Sequence, residues 1–266
     1  MIATSIKTTV WKAIRHYATG NDVACLRALM PEQLAPEQAQ IDAYLRELTR
    51  SPELLAAVDT PESRSFDAAT AELDADVRLQ RQIALDGPGR GRAILLYVTA
   101  RMLKPRIVVE TGCFTGWDSA VLLQALDRNG SGHLYSIDLP ARDGSFSQSG
   151  RHSGLPDGLR PGFLVPPSFR DRWTLIEGNV RQELMPLLER VGATDMFLHD
   201  SDHTYPHMMW EYAAILPHIR DGGIIASDDI AWNTAFWDFA AAIGRRCVIH
   251  RSNANVGAIA VGSSSR

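Results

Sequence analysis

The strongest constraint on the fold is an alternation of short apolar runs with helix-compatible stretches, which begins near Arg106. Helices that separate strands in this way predict β-α-β units, in which the strands pair in parallel and helices cover the sheet. The sequence therefore predicts a doubly wound α/β fold with a mostly parallel, seven-stranded sheet. The seven runs are residues 107–110, 133–138, 173–178, 196–200, 223–229, 246–250 and 256–261.

The first third of the chain has helical periodicity instead. Apolar residues recur at the spacing of one helix face within 41–48 and again within 66–77. We therefore expect an N-terminal helical extension, residues 1–89, that caps the sheet or forms a dimer surface, and a domain of residues 90–266. The connection 140–170 contains five Gly and five Pro, and its place after a strand predicts a lid over the substrate.

Charge and cysteine content exclude several classes of protein. The chain has 27 Lys and Arg against 31 Asp and Glu, without the basic excess typical of nucleic-acid binding. Its three cysteines lie too far apart to indicate a disulfide framework or a zinc site. No stretch approaches the roughly 18 apolar residues of a membrane span. We expect a soluble cytoplasmic protein that acts on a small molecule, without nucleic acid or membrane, and a homodimer is a further hypothesis.

Residues 108–116 have the order strand, glycine turn, helix, which is typical of nucleotide-binding loops. Gly112 and Gly116 would let the backbone approach a ligand closely, and the helix that follows offers amide donors at its N-terminus. Asp138 ends the next strand, where a carboxylate can accept hydrogen bonds from a ribose. Asn179 follows the third strand, and it either frames an adenine or caps the next helix.

The glycine spacing separates two kinds of nucleotide site. A dinucleotide site has the pattern G-x-G-x-x-G, whereas this chain has G-x-x-x-G. The residues ETGCFTG followed by SID resemble motif I and the ribose-binding acid of class I S-adenosylmethionine-dependent methyltransferases, whose sheet is Rossmann-like. The resemblance implies S-adenosylmethionine as the cofactor. It places Glu110 near the methionine amino group, with Gly112, Gly116 and Asp138 beside the cofactor.

Acidic residues also follow the next two strands. Asp200 ends one strand, with His203 three residues later, and Asp228 and Asp229 end the next. Neighbouring strand tips lie about 5 Å apart, so these carboxylates can converge, and their mutual repulsion favours a bound cation. Oxygen ligands favour a hard divalent ion, Mg²⁺ first and Mn²⁺ or Ca²⁺ as alternatives. Capping of the following helix by Asp229 is the structural alternative.

The pattern D-x-x-H followed by D-D resembles the metal-dependent small-molecule O-methyltransferases, which include the catechol and caffeoyl-CoA types and a related bacterial group. The resemblance implies that Asp200, Asp228 and Asp229 hold the ion, that Asp200 also borders the cofactor, and that a sugar, phenol or other natural product is methylated. A metal-bound hydroxyl loses its proton more readily, and His203 can accept that proton as general base. A metal-independent methyltransferase, an NAD(P)-dependent oxidoreductase and a non-catalytic binding module remain alternatives.

Overall fold

A computed structural model describes residues 18–69, 88–139, 155–156 and 158–262. All seven predicted strands are present, and a short strand near the N-terminus joins the same sheet. The strands are β1 (Ala18–Gly20), β2 (Ile107–Thr111), β3 (His133–Asp138), β4 (Trp173–Glu177), β5 (Thr194–His199), β6 (Ile219–Ser227), β7 (Cys247–His250) and β8 (Asn253–Ala260).

The sheet has the order β1-β7-β8-β6-β5-β2-β3-β4. Strand β8 runs antiparallel to its neighbours β6 and β7, and the other pairs are parallel. The prediction of a mostly parallel, Rossmann-like sheet is therefore confirmed. Strand β1 was not predicted from periodicity, because three residues are too few to show an alternation.

Helices cover both faces of the sheet. The helical periodicity at 41–48 corresponds to α2, whereas part of the 66–77 segment and residues 140–154 of the predicted lid lie outside the described residues. The helices are α1 (Asp22–Leu29), α2 (Gln38–Thr49), α3 (Pro52–Ala57), α4 (Pro61–Ala69), α5 (Pro88–Ala93), α6 (Thr99–Leu103), α7 (Trp117–Asn129), α8 (Val180–Val191), α9 (Tyr205–Ile215) and α10 (Ala235–Ala242). A π-helical turn, Ile94–Val98, joins α5 to α6.

Successive strand residues point to opposite faces of the sheet and divide the core in two. Val108 packs in a cluster that includes residues of α1, α2 and α7, whereas Val109 packs in a cluster that includes residues of α8, α9 and α10. The N-terminal helices thus share one hydrophobic core with the sheet. Within the described residues, none of the helices has the length and apolar character needed to cross a membrane.

The three central strands end at the same level. Thr111 of β2 is paired with His199 of β5, and His199 is paired with Ser227 of β6. The backbone N–H of Asp200 donates to the Thr111 carbonyl at 2.8 Å, and that of Asp228 donates to the His199 carbonyl at 2.9 Å. This register brings the residues that follow β2, β5 and β6 to one edge of the sheet.

Buried Asp22 connects the N-terminal helices to the sheet. Its carboxylate accepts hydrogen bonds from Arg90 on α5 and from Gln38 on α2, and it lies 2.8 Å from Nε2 of His250 on β7. Burial alone would raise the pKa of Asp22, but these hydrogen bonds lower it to about 2. The carboxylate therefore stays ionised and holds three separate elements together.

We expect Asp22→Ala to lower the free energy of unfolding by about 2 kcal/mol, because Gln38, Arg90 and His250 lose the buried acceptor that they share. Urea denaturation followed by circular dichroism measures the change. Asp59→Ala is the matched control, since Asp59 pairs with Arg64 at the surface, where an ion pair contributes little. Equal effects of the two substitutions would contradict the structural role of Asp22.

The same carboxylate predicts a pH dependence. An unfolded Asp has a pKa of about 3.9, whereas folded Asp22 has a pKa of about 2. The stability from its ionised form is complete above the unfolded value and is lost as the pH falls through the folded value. We therefore expect the stability difference between wild type and Asp22→Ala to be constant at neutral pH and to narrow below about pH 4.

Candidate active site

The glycine loop between β2 and α7 packs against the protein's own backbone. Gly112 has a φ of 79°, and a Cβ there would lie 2.1 Å from the carbonyl oxygen of Asp200. Gly116 has a φ of 85°, and a Cβ there would lie 2.6 Å from the Cα of Gly162. At both glycines the backbone thus lies close to another segment of the chain. The close approach to a ligand, which the sequence predicts, stays a prediction.

Asp138, at the end of β3, holds this loop in place. Its Oδ2 accepts the backbone N–H groups of Cys113 at 2.6 Å and Phe114 at 2.7 Å. Burial raises the pKa of Asp138, and the two backbone hydrogen bonds oppose that rise. A carboxylate at a strand end beside a glycine loop fits the ribose of S-adenosylmethionine.

Glu110 lies beneath the loop and is fully buried. Its Oε2 accepts hydrogen bonds from the hydroxyls of Ser119 at 2.5 Å and Ser136 at 2.6 Å. Burial raises its pKa to about 8. Its Oε1 is buried without a hydrogen-bond partner in the described chain, which fits an ammonium donor from a ligand. The predicted contact with the cofactor's amino group stays a prediction.

Asn179 caps α8, as one of its two sequence interpretations requires. Its side chain accepts the backbone N–H of Arg181 at 2.9 Å. The cap satisfies an N–H group that has no partner within the helix. The alternative interpretation, a contact with adenine, stays a prediction.

The acidic residues after β5 and β6 converge, but they do so around an arginine. Arg92 on α5 donates one hydrogen bond to Asp118 and another to Asp228. Asp118 comes from the first turn of α7, so three elements meet at this guanidinium. Burial first, and then the charge of Asp228, raises the pKa of Asp200 well above its usual value, while Arg92 opposes that rise. Asp200, Asp228 and Arg92 therefore form one electrostatic cluster.

Asp229, the third predicted metal ligand, is bonded to strand β8. Its Oδ1 accepts a hydrogen bond from the side-chain amide of Asn255, and its φ of 48° lies in the left-handed region. Within the part of the chain that the structure describes, no group of three or more His, Cys, Asp or Glu side chains could hold a metal ion. With Arg92 bound to Asp228 and Asn255 bound to Asp229, the cluster does not fit a divalent ion.

His203 lies beside this cluster, with its Nε2 at 3.6 Å from Oδ1 of Asp200. That nitrogen is buried and has no hydrogen-bond partner among the described residues. Burial first, and then the neighbouring His199, lowers the pKa of His203 to about 3. The ring is therefore neutral at pH 7 and can accept a proton, although as a weaker base than an exposed imidazole.

A buried carboxylate fixes the segment that carries Asp200 and His203. Glu211 on α9 is fully buried. Its Oε2 lies 2.8 Å from Nδ1 of His199 and accepts the Thr111 hydroxyl at 2.6 Å, and its Oε1 accepts the Ser201 hydroxyl at 2.5 Å. These contacts give His199 a structural role. They tie the ends of β2 and β5 and the turn after β5 to a single side chain.

The described part of the predicted lid packs onto the glycine loop. The backbone N–H of Gly162 donates to the Phe114 carbonyl at 2.8 Å, and that of Leu164 donates to the Thr115 carbonyl at 2.9 Å. The ring of Phe163 lies 5.7 Å from that of Phe66 on α4. This stretch therefore belongs to the wall of the site, whereas residues 140–154 lie outside the described residues.

Comparison with known proteins agrees with this geometry. Residues 109–230 match a family described as a methyltransferase domain, and this range runs from β2 to just beyond Asp229. The matched region, somewhat less than half of the chain, contains the glycine loop, Asp138 and the acidic residues after β5 and β6. No curated protein matches the sequence.

Solved structures resemble the chain over most of its length. The O-methyltransferase TomG from Streptomyces achromogenes, involved in tomaymycin synthesis and bound to S-adenosylmethionine, is 17% identical, with a TM-score of 0.52 over 88% of this chain and 100% of that chain. An O-methyltransferase from Bacillus cereus in complex with S-adenosylhomocysteine is 13% identical, with a TM-score of 0.50 over 83% of this chain and 100% of that chain. At these identities the likeness establishes the fold alone.

Three residues of the site were missed in the sequence. Arg92 and Asp118 face each other across 26 residues of sequence, and nothing in the local pattern of either distinguishes it from a surface charge. Glu211 gave a weak signal, because a carboxylate four residues after His207 lies on the same helix face. Its other partners come from separate strands of the methyltransferase domain, which only the fold brings together.

We expect Gly112→Ala to destabilise the domain more than Gly130→Ala. Both glycines have positive φ, but a Cβ at Gly130 meets nothing within 4 Å. Gly130→Ala should therefore lower the free energy of unfolding by only about 1–2 kcal/mol, the strain of a left-handed backbone with a side chain. Gly112→Ala adds to that strain a collision with the Asp200 carbonyl. Urea denaturation of the two variants measures the difference. Equal losses would show that the loop can move away from Asp200.

Proposed function

We propose that this protein transfers the methyl group of S-adenosylmethionine to a hydroxyl group of a small molecule. The observation that carries the proposal is the glycine loop held by Asp138 at the carboxyl ends of β2 and β3, inside the matched methyltransferase region. The TomG and Bacillus cereus proteins, which bind S-adenosylmethionine or its product, support this cofactor. Asp138, the loop from Gly112 to Gly116, and the buried Glu110 are the residues that would hold it.

The bound cofactor supplies an electrophilic methyl group, and the protein must supply a deprotonated acceptor in line with it. His203 is the residue we propose as general base, because its buried Nε2 lacks a hydrogen-bond partner among the described residues and lies beside the strand ends that carry the loop. Trp232, whose ring centroid lies 5.4 Å from that of His203, would form one wall around the acceptor. Asp200 and Glu211 would position the His203 segment.

The divalent ion expected from the sequence stays a prediction. The contacts of Arg92 with Asp228 and of Asn255 with Asp229 favour the metal-independent alternative instead. No step of the proposed reaction therefore depends on Mg²⁺, Mn²⁺ or Ca²⁺. The acceptor class, a sugar, phenol or other natural product, is likewise a proposal, as are a cytoplasmic location and a homodimer through residues 1–89.

Calorimetric titration with S-adenosylhomocysteine tests the cofactor assignment. We expect saturable binding to the wild-type protein and a loss of at least tenfold in affinity for Asp138→Asn, which is about 1.4 kcal/mol, because the amide presents an N–H₂ group where the loop needs an acceptor. Glu189→Gln, an exposed change on α8, is the control. Binding of NADH in place of S-adenosylhomocysteine would overturn the proposal in favour of the oxidoreductase.

We expect His203→Gln to lower the turnover number by about 10²–10⁴-fold, the usual contribution of a general base, while affinity for S-adenosylhomocysteine is unchanged. Methyl transfer to a panel of phenols, sugars and their glycosides, followed by mass spectrometry, supplies the assay. His218→Gln is the matched control, since His218 precedes β6 at the opposite edge of the sheet. Unchanged turnover in His203→Gln would remove His203 as the base.

A further inference from the structure

The acidic cluster at the ends of β5 and β6 already contains a cation. The guanidinium of Arg92 donates from one terminal nitrogen to Oδ2 of Asp118 and from the other to Oδ2 of Asp228. Both carboxylates are buried, with 7% and 8% of their surface exposed. A planar guanidinium that bridges two buried carboxylates is a specific arrangement, because its donors have a fixed geometry.

The position of Arg92 is fixed by the packing of its helix. Its neighbour Gly91 lies so close to β8 that a Cβ there would be 2.6 Å from the Cβ of Asn253. The π-helical turn that follows α5, Ile94–Val98, is wholly buried. Such turns occur often at functional sites. Arg92 is therefore delivered to the cluster by a segment that cannot easily move away.

The charges of the cluster agree with a resident guanidinium. Burial alone would lower the pKa of Arg92, but Asp118, Asp228 and Asp200 raise it, so the group remains positively charged. The carboxylate of Asp229 accepts a hydrogen bond from Asn255 on β8. Two of the carboxylates that a divalent ion would need therefore already accept hydrogen bonds, Asp228 from Arg92 and Asp229 from Asn255.

We propose that Arg92 is the positioning residue that takes the place of a divalent ion in this methyltransferase. It joins the first turn of α7 to the turn after β6 and balances the charge of the cluster, so that Asp200 and His203 face the acceptor without a metal. This inference rests on the proposed function for its catalytic consequence, whereas its cation-binding consequence does not. A guanidinium shared by two carboxylates cannot acidify a hydroxyl as a divalent ion does, which assigns the removal of the acceptor proton to His203.

Binding of Mn²⁺, followed by the electron paramagnetic resonance signal of the free ion, tests the proposal without an acceptor. We expect chelator-treated wild-type protein to leave the signal unchanged. Arg92→Gln should remove one Mn²⁺ per chain from solution, because it frees Asp118 and Asp228 for an ion. The double variant Arg92→Gln with Asp228→Asn should bind none. Arg101→Gln is the matched control, since Arg101 lies on α6 and pairs with Glu47 away from the cluster.

The proposal would be overturned if the wild type bound one Mn²⁺ per chain and Asp228→Asn abolished that binding. This measurement does not depend on the folding of an arginine variant. Failure of a folded Arg92→Gln to bind Mn²⁺ would also overturn it. Arg92→Lys keeps the positive charge, so we expect it to bind no Mn²⁺, and binding by this variant would contradict the electrostatic argument. Titration with S-adenosylhomocysteine in parallel separates the two proposals, because its failure would reject the methyltransferase function while the Mn²⁺ result stands.

Discussion

The candidate site depends on the common level at which three parallel strands end. Because β2, β5 and β6 stop in register, the residues that follow them must share one small region, whatever their chemistry. In this chain two of those residues are Asp200 and Asp228, and burial, together with the charge of the buried Asp228, raises the pKa of Asp200. The backbone arrangement that brings these strand ends together therefore also places negatively charged groups close to one another, and their repulsion has to be compensated.

Side chains from outside these three strands compensate the negative charges. Arg92 neutralises part of the charge from one side of the sheet, and Asn255 binds Asp229 from the neighbouring strand. Beneath the turn after β5, Glu211 accepts hydrogen bonds from the ends of two strands. Isolated buried charges would be unfavourable, but Asp118, Asp228, Asp229 and Glu211 each accept a hydrogen bond from a neighbouring side chain.

Periodicity in the sequence predicted the sheet well, because a buried parallel strand requires an unbroken apolar run and its helix requires a different spacing. It also placed Asp138, Asp200 and Asp228 correctly at strand ends. The roles of their partners could not be predicted in this way. Arg92 contacts Asp228 across 136 residues of sequence, and a bridge of that length depends on the packing of α5 against β8. The same limit applies to Gly112: the sequence does not show that this residue also makes room for the carbonyl of Asp200, and its predicted approach to a ligand stays a prediction.

The position of Arg92 has a consequence for where this domain begins. The region that matches the methyltransferase family starts at residue 109, 17 residues after the guanidinium that its acidic cluster requires. A fragment cut at that boundary would keep every strand-end carboxylate and lose the counterion. The acidic cluster with its counterion and the region that matches the family are thus different lengths of chain, and transferring the shorter one into another protein would carry an unbalanced charge with it.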